Sequence, residues 1–235
     1  MTEPLFTARH VLCVLGAEPD LTTIEALGKA AGFELDPEYS SDEPDDVMPD
    51  AFEGCVDGSF TDADRAAVEG HQSVGYLLGP RFLPPGTEST VSARALALVA
   101  DLLRADAVAV KHESSVVAHG RDRWLALAES ADLTGAFVRL PLASGEVLYS
   151  TGMHLLGMPD VELEHDGDAT RLDEWTELMH ALIAYQVVDK ADLADGEGFR
   201  LAPDAPRWTL QHTDCDRFDT DDLSYNPYGY WRLVP

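Results

Sequence analysis

Two short runs, H-V-L-C-V-L-G at 10–16 and S-V-G-Y-L-L-G at 73–79, do most to limit what this chain can fold into. Each is almost continuously apolar, short, and closed by Gly, so each reads as a buried strand. A-V-A-V at 107–110 is a third such run. Between and after them the apolar period changes to that of a helix. Ile24, Leu27 and Ala31 share one face of 22–31, with Gly32 as the stop. Val91, Leu96, Val99, Leu102 and Leu103 make a wide stripe over 89–104. Trp124, Leu125, Leu127 and Ala128 do the same over 121–131, and Trp175, Leu178, Met179, Leu182 and Ile183 over 172–188. Thr61 is the expected N-cap of a helix over 62–69, with carboxylates in its first turn.

The segments 136–142 and 146–150 read as a hairpin around A-S-G, and 199–201 and 208–212 as short final strands. Hairpins therefore mix with βα crossovers. The fold class is α+β, with one largely antiparallel mixed sheet and helices mainly on one face, ferredoxin-like or related. No linker divides the chain. Residues 1–212 are expected as one domain, with sub-halves 1–70 and 71–212 conceivable, followed by an acidic, aromatic-rich tail over 213–235.

Length and composition bound the function. With 235 residues, 45% of them hydrophobic, the chain can bury a real core. No apolar run approaches the roughly 20 residues needed to span a bilayer. The opening M-T-E-P-L-F-T-A-R-H has neither the basic start nor the apolar core of a signal peptide, so the expected compartment is the cytoplasm. Cys13, Cys55 and Cys215 form neither a disulfide framework nor a zinc pattern. Asp and Glu number 43 against 16 Lys and Arg, a formal net charge of −27. Such a field repels phosphate backbones and anionic lipid, which argues against nucleic-acid and membrane roles; it attracts a basic partner or a cation. Adaptation to salt would leave the same composition.

The common catalytic signatures are absent: no G-x-G-x-x-G after the first strand, no Walker-type lysine loop, no G-x-S-x-G and no H-E-x-x-H. The remaining candidates are weak ones. Lys111, His112 and Glu113 sit just past the 107–110 strand beside two serines, but neighbours on an extended chain point to opposite faces. His119 precedes the 121–131 helix, where an imidazole near the positive helix end stays neutral and can act as a base. His154 with His165 and Asp166 or Asp168 would be a conceivable metal set, though the spacing follows no short-range pattern. No metal and no cofactor is expected. The T-D-C-D-R-F-D-T-D-D stretch fails the EF-hand template at its sixth and twelfth positions, Asp219 and Tyr225. The loop over 34–50 carries Asp42, Glu43, Asp45 and Asp46 and reads as a solvated surface loop.

Two stretches, S-S-V-V-A-H-G-R-D-R-W-L-A-L-A (114–128) and V-L-Y-S-T-G-M-H-L-L-G-M-P-D-V-E-L (147–163), followed by a long amphipathic helix, resemble a family of bacterial domains of unknown function. The resemblance covers about 70–212 and is carried by Tyr149, Thr151, Gly152, Met153, Gly157, Val161 and Glu162. It implies one α+β domain and a bacterial origin, and no chemistry. In the second stretch Gly152 and Gly157 are expected to bracket one helical turn between strands, with Leu155 and Leu156 plugging the core.

The expectation that follows is a non-enzymatic, acidic, cytoplasmic binding module for a basic partner, with an immunity or inhibitor-type protein as one form of it. Its binding surface would be Asp42, Glu43, Asp45 and Asp46 with Tyr225, Tyr228, Tyr230 and Trp231 of the tail. The alternative is a ligand-binding or hydrolytic protein with a pocket near Lys111, His112, His119 and His154.

Overall fold

A computed structural model of the chain describes residues 9–18 and 20–235; residues 1–8 of the stretch read for a signal peptide lie outside it. The first sheet takes its strands from residues 11–120. β1 (Val11–Gly16) lies at its centre, flanked by β3 (Ser73–Leu78) and β4 (Ala107–His112), with β2 (Glu34–Leu35) and β5 (Val117–Gly120) at the edges. All its pairings are antiparallel. The continuous apolar run of β1 has a simple cause: both faces of the sheet are covered. Leu12 and Val14 pack with α1 (Thr22–Ala31), α4 (Glu88–Ala105) and α5 (Arg121–Ser130). Cys13 and Leu15 pack on the other side with Met48 and Phe52 of α2 (Met48–Glu53) and Val68 of α3 (Asp62–Glu69). Thr61 caps α3 through a reciprocal box with Asp64.

A short helix, α6 (Leu133–Phe137), leads into the second sheet. Its strands are β6 (Arg139–Ser144), β7 (Val147–Thr151), β8 (Asp160–Glu164), β9 (Gly198–Phe199), β10 (Trp208–Thr213) and β11 (Tyr230–Val234). They lie in the order β6-β7-β8-β11-β10-β9, antiparallel except for β8 beside β11. Trp175, Leu178, Met179, Leu182 and Ile183 of α7 (Leu172–Val187) fill the core against Val161, Leu163, Leu210 and Leu233. The fold class is α+β, as expected, with the strands divided between two sheets rather than gathered in one.

The two layers meet at α4 and at the corner between β7 and β8. Met153–Leu156 form one tight 3-10 turn, bracketed by Gly152 (φ 106°) and Gly157 (φ 78°). Leu155 enters the first core while Met153 and Leu156 enter the second. Ser89 and Ser92 of α4 donate to the carbonyls of Leu156 and Leu155, at 3.0 and 2.6 Å.

Residues 213–235 are no appendage. β11 pairs on both sides, and Asn226 donates to the Met158 carbonyl (3.0 Å) and the Asp160 carboxyl (2.7 Å). Tyr230 and Trp231 are buried at 1% and 7% exposure, and the Tyr228 hydroxyl donates to Glu88 at 2.8 Å. Tyr225 is half-buried. As partner-reading residues Tyr230 and Trp231 are therefore corrected: alternation in Y-W-R-L-V is that of a strand whose apolar side chains are buried in the protein itself. The 34–50 loop is likewise less loose than its composition implies. Ser41 and Val74 exchange both backbone hydrogen bonds, at 2.9 and 2.8 Å, and the Asp45 amide donates to His71 Nε2 at 3.0 Å. Among the described residues, no helix is long and apolar enough to cross a membrane.

Candidate functional site

The β4 register sorts the K-H-E stretch by face. Lys111 and Glu113 emerge together, paired at 2.9 Å, with Lys111 Nζ 6.0 Å from the Phe52 ring centroid. Burial opposes the charge on Lys111, but Glu113 outweighs it and holds the ammonium above its ordinary pKa. The same side holds Cys13, whose thiol burial pushes up to about 12. These are fixed structural groups, without a poised nucleophile.

His112 points to the opposite face and meets His10, which the pairing Leu12↔His112 brings alongside. Four hydrogen bonds run through the pair. Ser92 Oγ donates to the Leu155 carbonyl at 2.6 Å, so it accepts from His10 Nε2 at 2.9 Å. His10 Nδ1 is then an acceptor and takes the His112 Nε2–H at 2.9 Å. His112 Nδ1 in turn accepts from Ser115 Oγ at 3.1 Å. One tautomer for each ring satisfies the whole chain, and both rings are neutral. Burial, with neighbouring histidines second, lowers His10 to about 3 and His112 well below its ordinary value. Phe137 packs edge-on against both rings, at 5.0 and 5.2 Å.

His154 is fully buried near this pair. Both its ring nitrogens lack a partner in hydrogen-bond geometry, although the Leu223 backbone approaches. His119 lies on edge strand β5, directly before Gly120, the N-cap of α5, as expected. Its Nε2–H donates to the Ala136 carbonyl at 3.2 Å and its Nδ1 has no partner. Of the candidates, His112, His119 and His154 are thus brought into one region and Lys111 is not; His112 and His154 sit in the interior with His10. Only His119 of the candidates lines an open cleft. His165 packs on Trp175 at 5.2 Å, and no group of three or more His, Cys, Asp or Glu that could hold a metal ion exists among the described residues. His10 and Ser92 went unnoticed in sequence, because their partnership with His112 depends on strand register across about a hundred residues.

The most distinctive surface lies over the α2–α3 face of the first sheet. From Glu34 to Glu69 there are thirteen Asp and Glu and one cation, Arg65. Arg65 is itself taken by Glu53 through two hydrogen bonds, at 3.0 and 3.1 Å. Asp42, Glu43 and Asp46 are exposed, while Asp45 is half-buried and turns its carboxylate onto the Val47 amide at 3.0 Å. Within this field Tyr39 is 65% and Val47 60% exposed.

Fold and surface together define a two-sheet α+β protein with a buried imidazole cluster and one strongly acidic layer. Compared with known proteins, the chain matches no family, no curated protein and no solved structure.

Proposed function

We propose that the protein is a non-enzymatic, cytoplasmic binding module for a basic protein partner, of the immunity or inhibitor kind, and that Glu34–Glu69 is its docking layer. The family resemblance noted above is part of the same proposal. The observation that carries it is the pairing of uncompensated charge with exposed apolar side chains. Carboxylates around Tyr39 and Val47 draw a cationic surface from beyond contact range, over roughly 8–10 Å at physiological salt. An exposed Tyr and Val then supply the desolvated contacts that charge alone does not. The tail aromatics have no part in this surface.

The test begins with capture of a partner on immobilised protein at low salt and purification of what is retained. Its affinity is then compared for wild type, Tyr39→Ala and the triple variant Asp42→Asn, Glu43→Gln, Asp46→Asn. Each variant should bind at least about tenfold more weakly, and the association rate should fall as salt rises. Nothing retained, or a partner indifferent to both variants, would overturn the proposal.

A further inference from the structure

Between the two sheets opens a cleft of about 390 Å³, within the range of roughly 300–1,000 Å³ typical of small-molecule sites. Its walls come from the Cys55–Asp57 loop, β5, α5, α6, β6 and α7. The charge of its lining is the reverse of the whole molecule's. On a chain of net charge −27 the cleft carries two guanidiniums, Arg123 and Arg139, against one acid, Asp57, with His119 and His180 as imidazoles that burial keeps neutral.

Neither guanidinium is neutralised by a carboxylate within 4.0 Å among the described residues. Arg139 Nη1 donates to the carbonyls of Gly54 (2.9 Å) and Val116 (2.7 Å), which fixes the group while leaving its charge. Asp57 accepts from the Ser59 amide and hydroxyl at its Oδ1, at 2.7 and 2.5 Å, and its charge is felt by Arg123 and His119 without an ion pair being formed. His119 adds the second requirement. It is only 3% exposed, its Nε2–H is committed to Ala136, and its Nδ1 is left empty. Burial lowers it to about 4, so at neutral pH that nitrogen is an acceptor lacking a donor. Burial also raises the Cys55 thiol, so no thiolate is available for covalent chemistry.

We propose that this cleft binds a small molecule bearing an oxyanion and an O–H group. Arg123 and Arg139 hold the negative charge, and His119 Nδ1 accepts the hydrogen bond from the O–H. Leu140, Pro141 and Ile183 offer apolar wall to its carbon body. Guanidinium forks match the planar or tetrahedral oxygens of carboxylates and phosphates, and an unpaired buried acceptor rejects a ligand with no proton to give. The cleft borders the docking layer through Cys55, Val56 and Asp57, but the residues given the partner contacts, Tyr39, Asp42, Glu43 and Asp46, do not line it.

Inorganic phosphate and sulfate distinguish these parts, because at about pH 6 phosphate carries O–H groups and sulfate has none. Calorimetric titration at fixed ionic strength should show saturable phosphate binding, with sulfate at least about tenfold weaker. Arg123 is exposed, so Arg123→Gln should leave the circular dichroism and melting temperature of the free protein unchanged and weaken phosphate by about tenfold or more. No saturable phosphate binding up to about 10 mM, or equal affinity in Arg123→Gln, overturns the site. Sulfate binding as tightly as phosphate overturns the role given to His119 and with it the O–H requirement.

Discussion

His154 sits in the interior with two ring nitrogens that meet no hydrogen-bond partner. A buried polar group left unsatisfied costs about 1–3 kcal/mol, so replacing the ring by a hydrocarbon of similar size removes a penalty. His154→Leu should therefore stabilise the protein by ~1 kcal/mol or more at pH 7, read by urea unfolding; a loss of stability would show that a nitrogen is bonded after all. The same interior makes the protein sensitive to acid. His10, His112, His119 and His154 all titrate below the ordinary 6.5, each first of all because of burial. The unfolded chain thus binds more protons as pH falls below about 6.5, and stability present above that value drains away toward pH 4. Asp160 works in the opposite sense: burial raises it to about 7, so its protonated folded form gains relative stability as pH falls through 7. The net slope reaches up to about 4 kcal/mol per pH unit. A domain of ordinary stability, about 5–15 kcal/mol, should then unfold between about pH 4 and 5, followed by far-UV circular dichroism. An unfolding midpoint below about pH 3 would contradict neutral, buried imidazoles.

Elements whose identity is local were legible in the sequence, and those fixed from a distance were not. The runs at 10–16 and 73–79 and the stripes of α1, α4, α5 and α7 announced themselves by period. So did the corner between Gly152 and Gly157. α2 was hidden because Pro49 reads as a breaker, although a proline in the first turn of a helix has no amide bond to lose. β5 was hidden because V-A-H-G runs straight into a helix and its partner is β4. β11 gained its place from β8 and β10, at separations of tens of residues, so Tyr230 and Trp231 looked like a free aromatic patch. The Gly152 corner gives a sharp test. A Cβ there would lie 1.9 Å from the Phe137 carbonyl oxygen, on a backbone with φ 106°, whereas Gly145 (φ 61°) faces open space. Gly152→Ala should cost on the order of 3 kcal/mol or more, and Gly145→Ala about 1 kcal/mol, by thermal or urea unfolding. Equal costs would mean that the corner relaxes freely.

For the molecule as a whole, the net charge of −27 was plain from composition, but its placement needed the fold. The acids of α2 and α3 lie over one face of the first sheet, and the two guanidiniums of the cleft come from α5 and β6, separated by 16 positions in the chain. Like charges crowded on a compact body repel one another, and salt screens that repulsion as the Debye length falls from about 30 Å at 0.01 M to about 3 Å at 1 M. The melting temperature should therefore climb by several degrees between low salt and about 0.5 M sodium chloride, measured by calorimetry; a flat or falling curve would mean that surface repulsion is negligible. The strand order of the second sheet has a further consequence during synthesis. β11 separates β8 from β10, so neither neighbour can complete its ladder until Val234 has left the ribosome. The first sheet draws all its strands from residues 11–120 and can assemble while translation continues. Over that interval β8 waits with one side open, and a nascent chain stalled before residue 230 would present it to any neighbouring strand.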